Sequence, residues 1–412
     1  MIINGNDRLV VVGASLAGLR AVEAARKADY RGTITLIGAE AELPYDRPPL
    51  SKAFLEGDSG EAPVFCTEEY LRDELGVDLR LGGPATALDV ESKSVHVGDD
   101  EVPYDSIVIA TGSRPRTLPG ASDLAGVHGL RSLADARAIR SDLREGAHVV
   151  IVGAGFIGSE VASSARKRGA HVTIVEAQPV PLFRAVGPLG TAVAQLHRLN
   201  GTTLLCGVGV EAIRGEGRVA DVLLDDGRVL PADLVVVGIG VEPATDWLAG
   251  SQLHLENGIS CDSTLHAGAE GVYAAGDVVQ WLNEMYGKRQ RMENWTAAAE
   301  QGAHAARNAL NPTDAKPYST VPYFWSDWYG SRIQYVGIAD DADDVEIVEG
   351  MPEEGGTWIA LYRSGERLRG ALAINGQADI MKYRTMIARG KSWSDAKDFA
   401  STRRVRRLER VG

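Results

Sequence analysis

His148 to Ala177 reads HVVIVGAGFIGSEVASSARKRGAHVTIVEA. An apolar run, a turn holding Gly153, Gly155 and Gly158, a helical pattern and a second apolar run follow one another. This is the βαβ arrangement in which backbone N–H groups and a helix N-terminus approach a diphosphate. Glu176 closes the second strand, where an acid accepts both ribose hydroxyls and repels a 2′-phosphate. No Arg follows within VEAQPV, so NADH is favoured over NADPH, although Arg184 lies further along. Glu160 raises a question, because it adds negative charge to the helix that receives the phosphates. Either it is one of the acids that the dipole favours in a first helical turn, or it has a partner elsewhere.

A second copy lies 140 positions upstream, in RLVVVGASLAGLRAVEAARK followed by ITLIGAE. Gly13 and Gly18 hold the outer positions of the fingerprint, and Ser15 replaces the middle glycine with a small side chain. At the end of the second strand Ala39 stands where the acid is expected, and Glu40 one residue later is the candidate. Two such turns imply one tightly held nucleotide and one exchangeable one. GVYAAGDVV, 271–279, separates the roles. It ends a strand in Gly276-Asp277, at the carboxyl edge where ligands bind in open α/β sheets. With the upstream turn Ala110-Thr111-Gly112 this is a flavoprotein arrangement for FAD, Asp277 accepting from the ribityl chain. The fold class expected is α/β, with two Rossmann-like nucleotide-binding domains.

The rest of the chain narrows the function. Its 412 residues suggest two or three domains, and its net charge of −13 argues against nucleic acid. Residues 379–412 carry ten basic and four acidic residues, a net +6, which leaves −19 for the remainder. This tail is either a solvated face or a landing patch for an acidic protein, opposite in character to DADDVEIVEG at 341–350. No apolar run reaches the roughly 18 residues of a membrane span. A short polar leader leads straight into the first strand without room for a signal peptide, so a cytoplasmic protein is expected. Cys66, Cys206 and Cys261 are far apart in sequence, so metal ligation and a redox disulfide both lack their local signatures.

Longer motifs add a resemblance. LPYDRPPLSKAFL (43–55), IATGSRPRTLPG (109–120), LRSLADA (130–136), VGIGVEP (237–243) and VPYFWSDWYG (321–330) accompany the glycine turns in order. Together the chain resembles the FAD- and NADH-dependent ferredoxin reductases that serve bacterial oxygenases. That group includes the putidaredoxin, rubredoxin and biphenyl-dioxygenase reductases, with apoptosis-inducing factor more distant.

The resemblance implies an FAD domain in two pieces, 1–114 and 245–320, an NADH domain at 115–244 and a smaller C-terminal α/β domain at 321–412. It implies FAD contacts from Ala17, Arg47, Lys52, Ala85, Arg131, Asp277 and Trp295, and NADH contacts from Gly155, Ile157, Gly158, Glu160, Glu176 and Gly240. Trp325 is either core or a neighbour of the flavin ring, and Trp295 is likewise open between packing and contact. On this reading Lys52 reaches the flavin N5 edge and pairs with Glu160, which would also accept from the nicotinamide carboxamide. The expected partner is a small acidic [2Fe–2S] ferredoxin, held transiently on the basic tail with Lys288, Arg289 and Arg291, and an oxygenase lies downstream. Three alternatives share the architecture: a rubredoxin reductase, a non-catalytic NADH-sensing flavoprotein, and a dithiol–disulfide reductase, which would need a cysteine beside the flavin.

Overall fold

The computed structural model describes residues 7–57, 59–119, 124–339, 342 and 344–411. The polar leader, Gly120, two aspartates of the acidic run (Asp341 and Asp343) and the side chains of the tail after Val405 lie outside the described residues. Four helices recur below: α1 (Leu16–Lys27), α2 (Phe156–Lys167), α3 (Gly190–Leu199) and α4 (Trp295–Leu310).

The chain divides into two compact units, the first made of Met1–Asp46, Ala62–Arg114 and Val241–Thr320. Its core is a five-stranded parallel sheet in the order Val272–Ala274, Ser106–Ile109, Arg8–Val12, Thr33–Gly38, Val77–Leu81. Strands covered on both faces read as continuous apolar runs, as in RLVVV and SIVI. α1 and α4 pack against each other through small residues. A Cβ at Gly302 would meet the Ala17 carbonyl oxygen at 2.1 Å, so only glycine admits so close an approach.

The second unit comprises Arg47–Glu61, Pro115–Gly240 and Val321–Gly412. It repeats the parallel sheet, in the order Thr203–Cys206, His171–Glu176, His148–Val152, Leu234–Val237, Val127–His128. It then adds a five-stranded antiparallel sheet in the order 323–328, 331–337, 367–374, 358–364, 344–349. One face of this sheet packs on the helix Gln377–Ala388, burying Ile380, Tyr383 and Ile387. The other packs on Val193 and Leu196 of α3 and on Phe156 at the start of α2. Side chains alternate along a strand, so in Tyr323–Trp328 the residues Phe324, Ser326 and Trp328 share the face turned toward α2.

Candidate functional site

In the first unit, the turn from Gly13 leads into α1, with Ser15 at its N-cap and no acid in its first turn. Gly13 has φ +118°, and a Cβ there would meet the Ala110 oxygen at 2.1 Å. The Ala110–Gly112 segment therefore lies directly against the glycine turn. It is tied down by the Thr111 hydroxyl, which donates to the Ala244 carbonyl at 2.9 Å. Gly18 is close-packed on Gly13, and Ala17 packs on Gly276. Asp277 is buried and accepts from the Ser113 hydroxyl at 2.9 Å. Tyr45 donates to Glu40 at 2.5 Å. Trp295 opens α4 and donates its indole N–H to Asp46 at 2.8 Å, while Asn294 caps the helix by accepting from Ala297. Ala85 is half-buried at the start of the strand Ala85–Asp89.

The second unit brings the cleaner fingerprint together. Glu176 accepts from the Ala154 N–H and the Gln178 N–H, both at 2.8 Å, which pins its carboxylate beside the glycine turn. Gly153 and Gly158 are hemmed in by backbone, whereas a Cβ at Gly155 would meet only the Gly238 oxygen at 3.8 Å. The bare backbone at Gly155 thus faces open space, which fits a diphosphate laid against it. Gly240 likewise faces open space, at φ +92°. Nearby apolar side chains stand out from the surface: Ile157 is 47% exposed and Phe183, next to the exposed Arg184, is 58% exposed. In this unit also, Arg47 donates to the Arg131 carbonyl at 2.6 Å. Trp325 stacks on Tyr323 with ring centres 5.9 Å apart.

Glu160 has the partner that its charge demands. It is 3% exposed and pairs with the Lys52 ammonium at 2.6 Å. It lies beyond the first turn of α2, which contains no acid, so the helix dipole does not explain it. Two serines that the sequence reading passed over complete its shell. Ser51 donates to Oε2 at 2.5 Å and Ser326 donates to Oε1 at 2.5 Å. Lys52 also donates to the Pro48 carbonyl at 2.9 Å. Its outer side borders an open cavity of about 680 Å³, lined in part by Glu56, Ser163, Lys167 and Tyr329.

Next to this cluster, His197 of α3 is buried with Nδ1 2.9 Å from the Tyr329 hydroxyl and Nε2 3.1 Å from the Ser159 hydroxyl. Burial lowers its pKa to about 4, so it is a neutral link between α2 and the C-terminal sheet. The three cysteines are free, and burial pushes the Cys66 and Cys261 thiols up, away from thiolate chemistry. Two of the cations expected in a landing patch are spent within the first unit: Arg289 donates to the Cys261 carbonyl, and Arg291 pairs with Glu293 at 2.6 Å.

Two nucleotide-type turns, a strand-end Asp and a buried Lys–Glu pair define a two-nucleotide oxidoreductase. The family described as pyridine nucleotide-disulphide oxidoreductase matches residues 7–302, and the reductase C-terminal family matches 323–408. The chain is 38% identical to the ferredoxin–NAD(+) reductase component of the anthranilate 1,2-dioxygenase system of Burkholderia cepacia, over 93% of this chain and 95% of that one. It is 35% identical to rhodocoxin reductase of Rhodococcus erythropolis, over 92% and 89% respectively. Among solved structures, putidaredoxin reductase in its covalent complex with putidaredoxin superposes with a TM-score of 0.88 at 29% identity, over 94% of both chains.

The chain therefore belongs to the pyridine nucleotide-disulphide oxidoreductases, and within them to the ferredoxin reductases of oxygenase systems. It is an NADH-dependent oxidoreductase with FAD as its cofactor. Among the described residues, no helix is long and apolar enough to cross a membrane.

Proposed function

We propose that the chain takes hydride from NADH and delivers the two electrons singly to a small acidic [2Fe–2S] ferredoxin that feeds an oxygenase. The likeness to an oxygenase-system reductase over nearly the full length of both chains is the observation that carries this reading. FAD, when bound, supplies a carrier that accepts two electrons together and releases them one at a time.

The protein's own groups bind, orient and answer charge. Residues 1–114 with 245–320 are read as the FAD domain, 115–244 as the NADH domain and 321–412 as a C-terminal domain. Asp277, oriented by Ser113, accepts from the ribityl hydroxyls. Gly13, Ser15, Ala17, Gly18 and the Ala110–Gly112 turn form the diphosphate cradle for FAD, with Glu40 at the ribose and Arg47, Ala85, Arg131, Gly276, Trp295 and Trp325 around the rest. Gly153, Gly155, Ile157, Gly158 and Gly240 receive NADH, Arg184 stands nearby, and Glu176 accepts from the adenosine ribose. A carboxylate held in that position disfavours the 2′-phosphate of NADPH.

Lys52 lends positive charge where negative charge gathers during hydride transfer. Glu160 pairs with that ammonium at 2.6 Å and accepts from the nicotinamide carboxamide, which fixes the approach of the donor carbon. The test is NADH-driven reduction of cytochrome c, which should become rapid only when a [2Fe–2S] ferredoxin is added and should slow with rising ionic strength. Equal rates without ferredoxin would overturn the acceptor, and equal rates with NADPH would overturn the reading of Glu176.

A further inference from the structure

We infer that Ser326 is a positioning residue for Glu160 and that Trp328 sets the direction of its hydroxyl proton. The inference rests on the proposed part of Glu160 in hydride transfer. The Trp328 indole N–H donates to the Ser326 oxygen at 2.7 Å. An indole N–H can only donate, and serine has a single proton to give. The Ser326 proton is thereby directed to Glu160 Oε1, 2.5 Å away.

The donors divide by carboxylate oxygen. Lys52 and Ser51 both reach Oε2, and they are adjacent in sequence. Acting alone, they would leave the carboxylate free to turn about the bond to its chain. Ser326 holds the other oxygen and comes from a different element, the strand Tyr323–Trp328. Three donors from two elements fix the plane of the group. Among the described residues, Oε1 has no other partner, so its second lone pair is the one open to a further donor, and Ser326 decides where it points.

The hydroxyl itself is firmly held. Ser326 and Trp328 are both fully buried. Trp328 stacks on His197 at 5.0 Å, and Phe324 on the same strand face packs against Phe156 at 4.6 Å. Phe156 begins the helix that carries Glu160. The C-terminal sheet thus helps to set the orientation of the carboxylate through one hydroxyl.

A double-mutant cycle on the FAD-loaded enzyme tests this, using Ser326→Ala, Glu160→Ala and the pair. Ser326→Ala should lower the limiting rate of flavin reduction by NADH roughly tenfold, the worth of one hydrogen bond to a charged group, with little change in the NADH dissociation constant. In the Glu160→Ala background it should have no further effect. Independently of activity, the indole ¹⁵N–¹H signal of Trp328 should move in Glu160→Ala, because the bonded chain from Trp328 through Ser326 loses its acceptor. Ser326→Cys keeps the shape of the side chain with a slightly larger atom while weakening the donor, and serves with the same expected direction if the alanine variant does not fold. An unchanged rate in Ser326→Ala, an equal loss in both backgrounds, or a Trp328 signal unmoved by Glu160→Ala would overturn the inference. If Glu160→Ala alone left the rate intact while the Trp328 signal moved, the bonded chain would stand and the hydride-transfer role of Glu160 would fall.

Discussion

Burying a carboxylate as deeply as Glu160 is costly unless donors replace water, and here an ammonium and two hydroxyls do so. Glu160→Ala leaves Lys52 without its counter-ion. Lys52 is 20% exposed at its outer side, so the loss in stability should be about 2 kcal/mol, less than for a fully buried pair. Flavin reduction by NADH should slow by about a hundredfold while the FAD spectrum persists, as rapid mixing and thermal unfolding would show. His197 gives a second prediction. Its folded pKa of about 4 lies below the unfolded value near 6.5, so the unfolded state binds more protons between these limits. Stability is retained above about pH 6.5, is lost as pH falls toward 4, and levels off below that. From pH 7 to pH 5 the wild-type protein should lose about 2 kcal/mol more than His197→Asn, measured by denaturant midpoints. At this scale the sequence showed Lys52 and Glu160 through their motifs but hid their serines. Ser51 lies within RPPLSK and Ser326 within FWSD, motifs in which Lys52 and Trp325 are the more conspicuous side chains. Strand alternation was the available signal, since it sends Ser326 to the face opposite Trp325.

Among the elements, the glycine turns separate what the fold needs from what the ligand needs. Gly153 must be glycine for the chain to close, because its φ is +102° and a Cβ would meet the Gly238 oxygen at 2.4 Å. Gly155 has φ −79° and nothing closer than 3.8 Å, so alanine fits there without strain. Gly155→Ala should therefore fold with an unchanged unfolding temperature yet bind NADH roughly tenfold more weakly, because the new methyl group occupies the path of the diphosphate. Calorimetric unfolding and equilibrium titration measure the two quantities separately, and a lowered unfolding temperature would contradict this division. Both βαβ units were legible from strand, turn and helix spacing alone. The place of Glu160 within its helix was not, since its distance from the first turn depends on where α2 begins. The residues spent inside the fold were also illegible. Arg289 and Arg291 read as free surface charge until their partners are known.

Over the whole molecule, the net charge of −13 masks a basic C-terminus, and the structure shows how much of that charge is already committed. Arg403 pairs with the buried Asp379 at 2.5 Å, Lys397 pairs with Glu346, and Lys382 lies over the Phe399 ring. Arg389 and Arg404 are exposed and, among the described residues, form no ion pair, which suits the acidic partner proposed above. Composition and motif order conveyed the class of fold and the two nucleotides, because those depend on short local patterns. The internal ion pairs join residues far apart in the chain, which no local pattern reports. One flow of electrons, from NADH through FAD to the ferredoxin, underlies the proposed function, and a single-turnover experiment tests it most directly. The FAD-loaded protein is mixed anaerobically with one equivalent of NADH and then with excess oxidised [2Fe–2S] ferredoxin, with both chromophores followed by absorbance. The flavin should bleach with NADH and recover as about two ferredoxins are reduced, one electron to each. A flavin that bleaches and stays reduced while the ferredoxin remains oxidised would contradict the account.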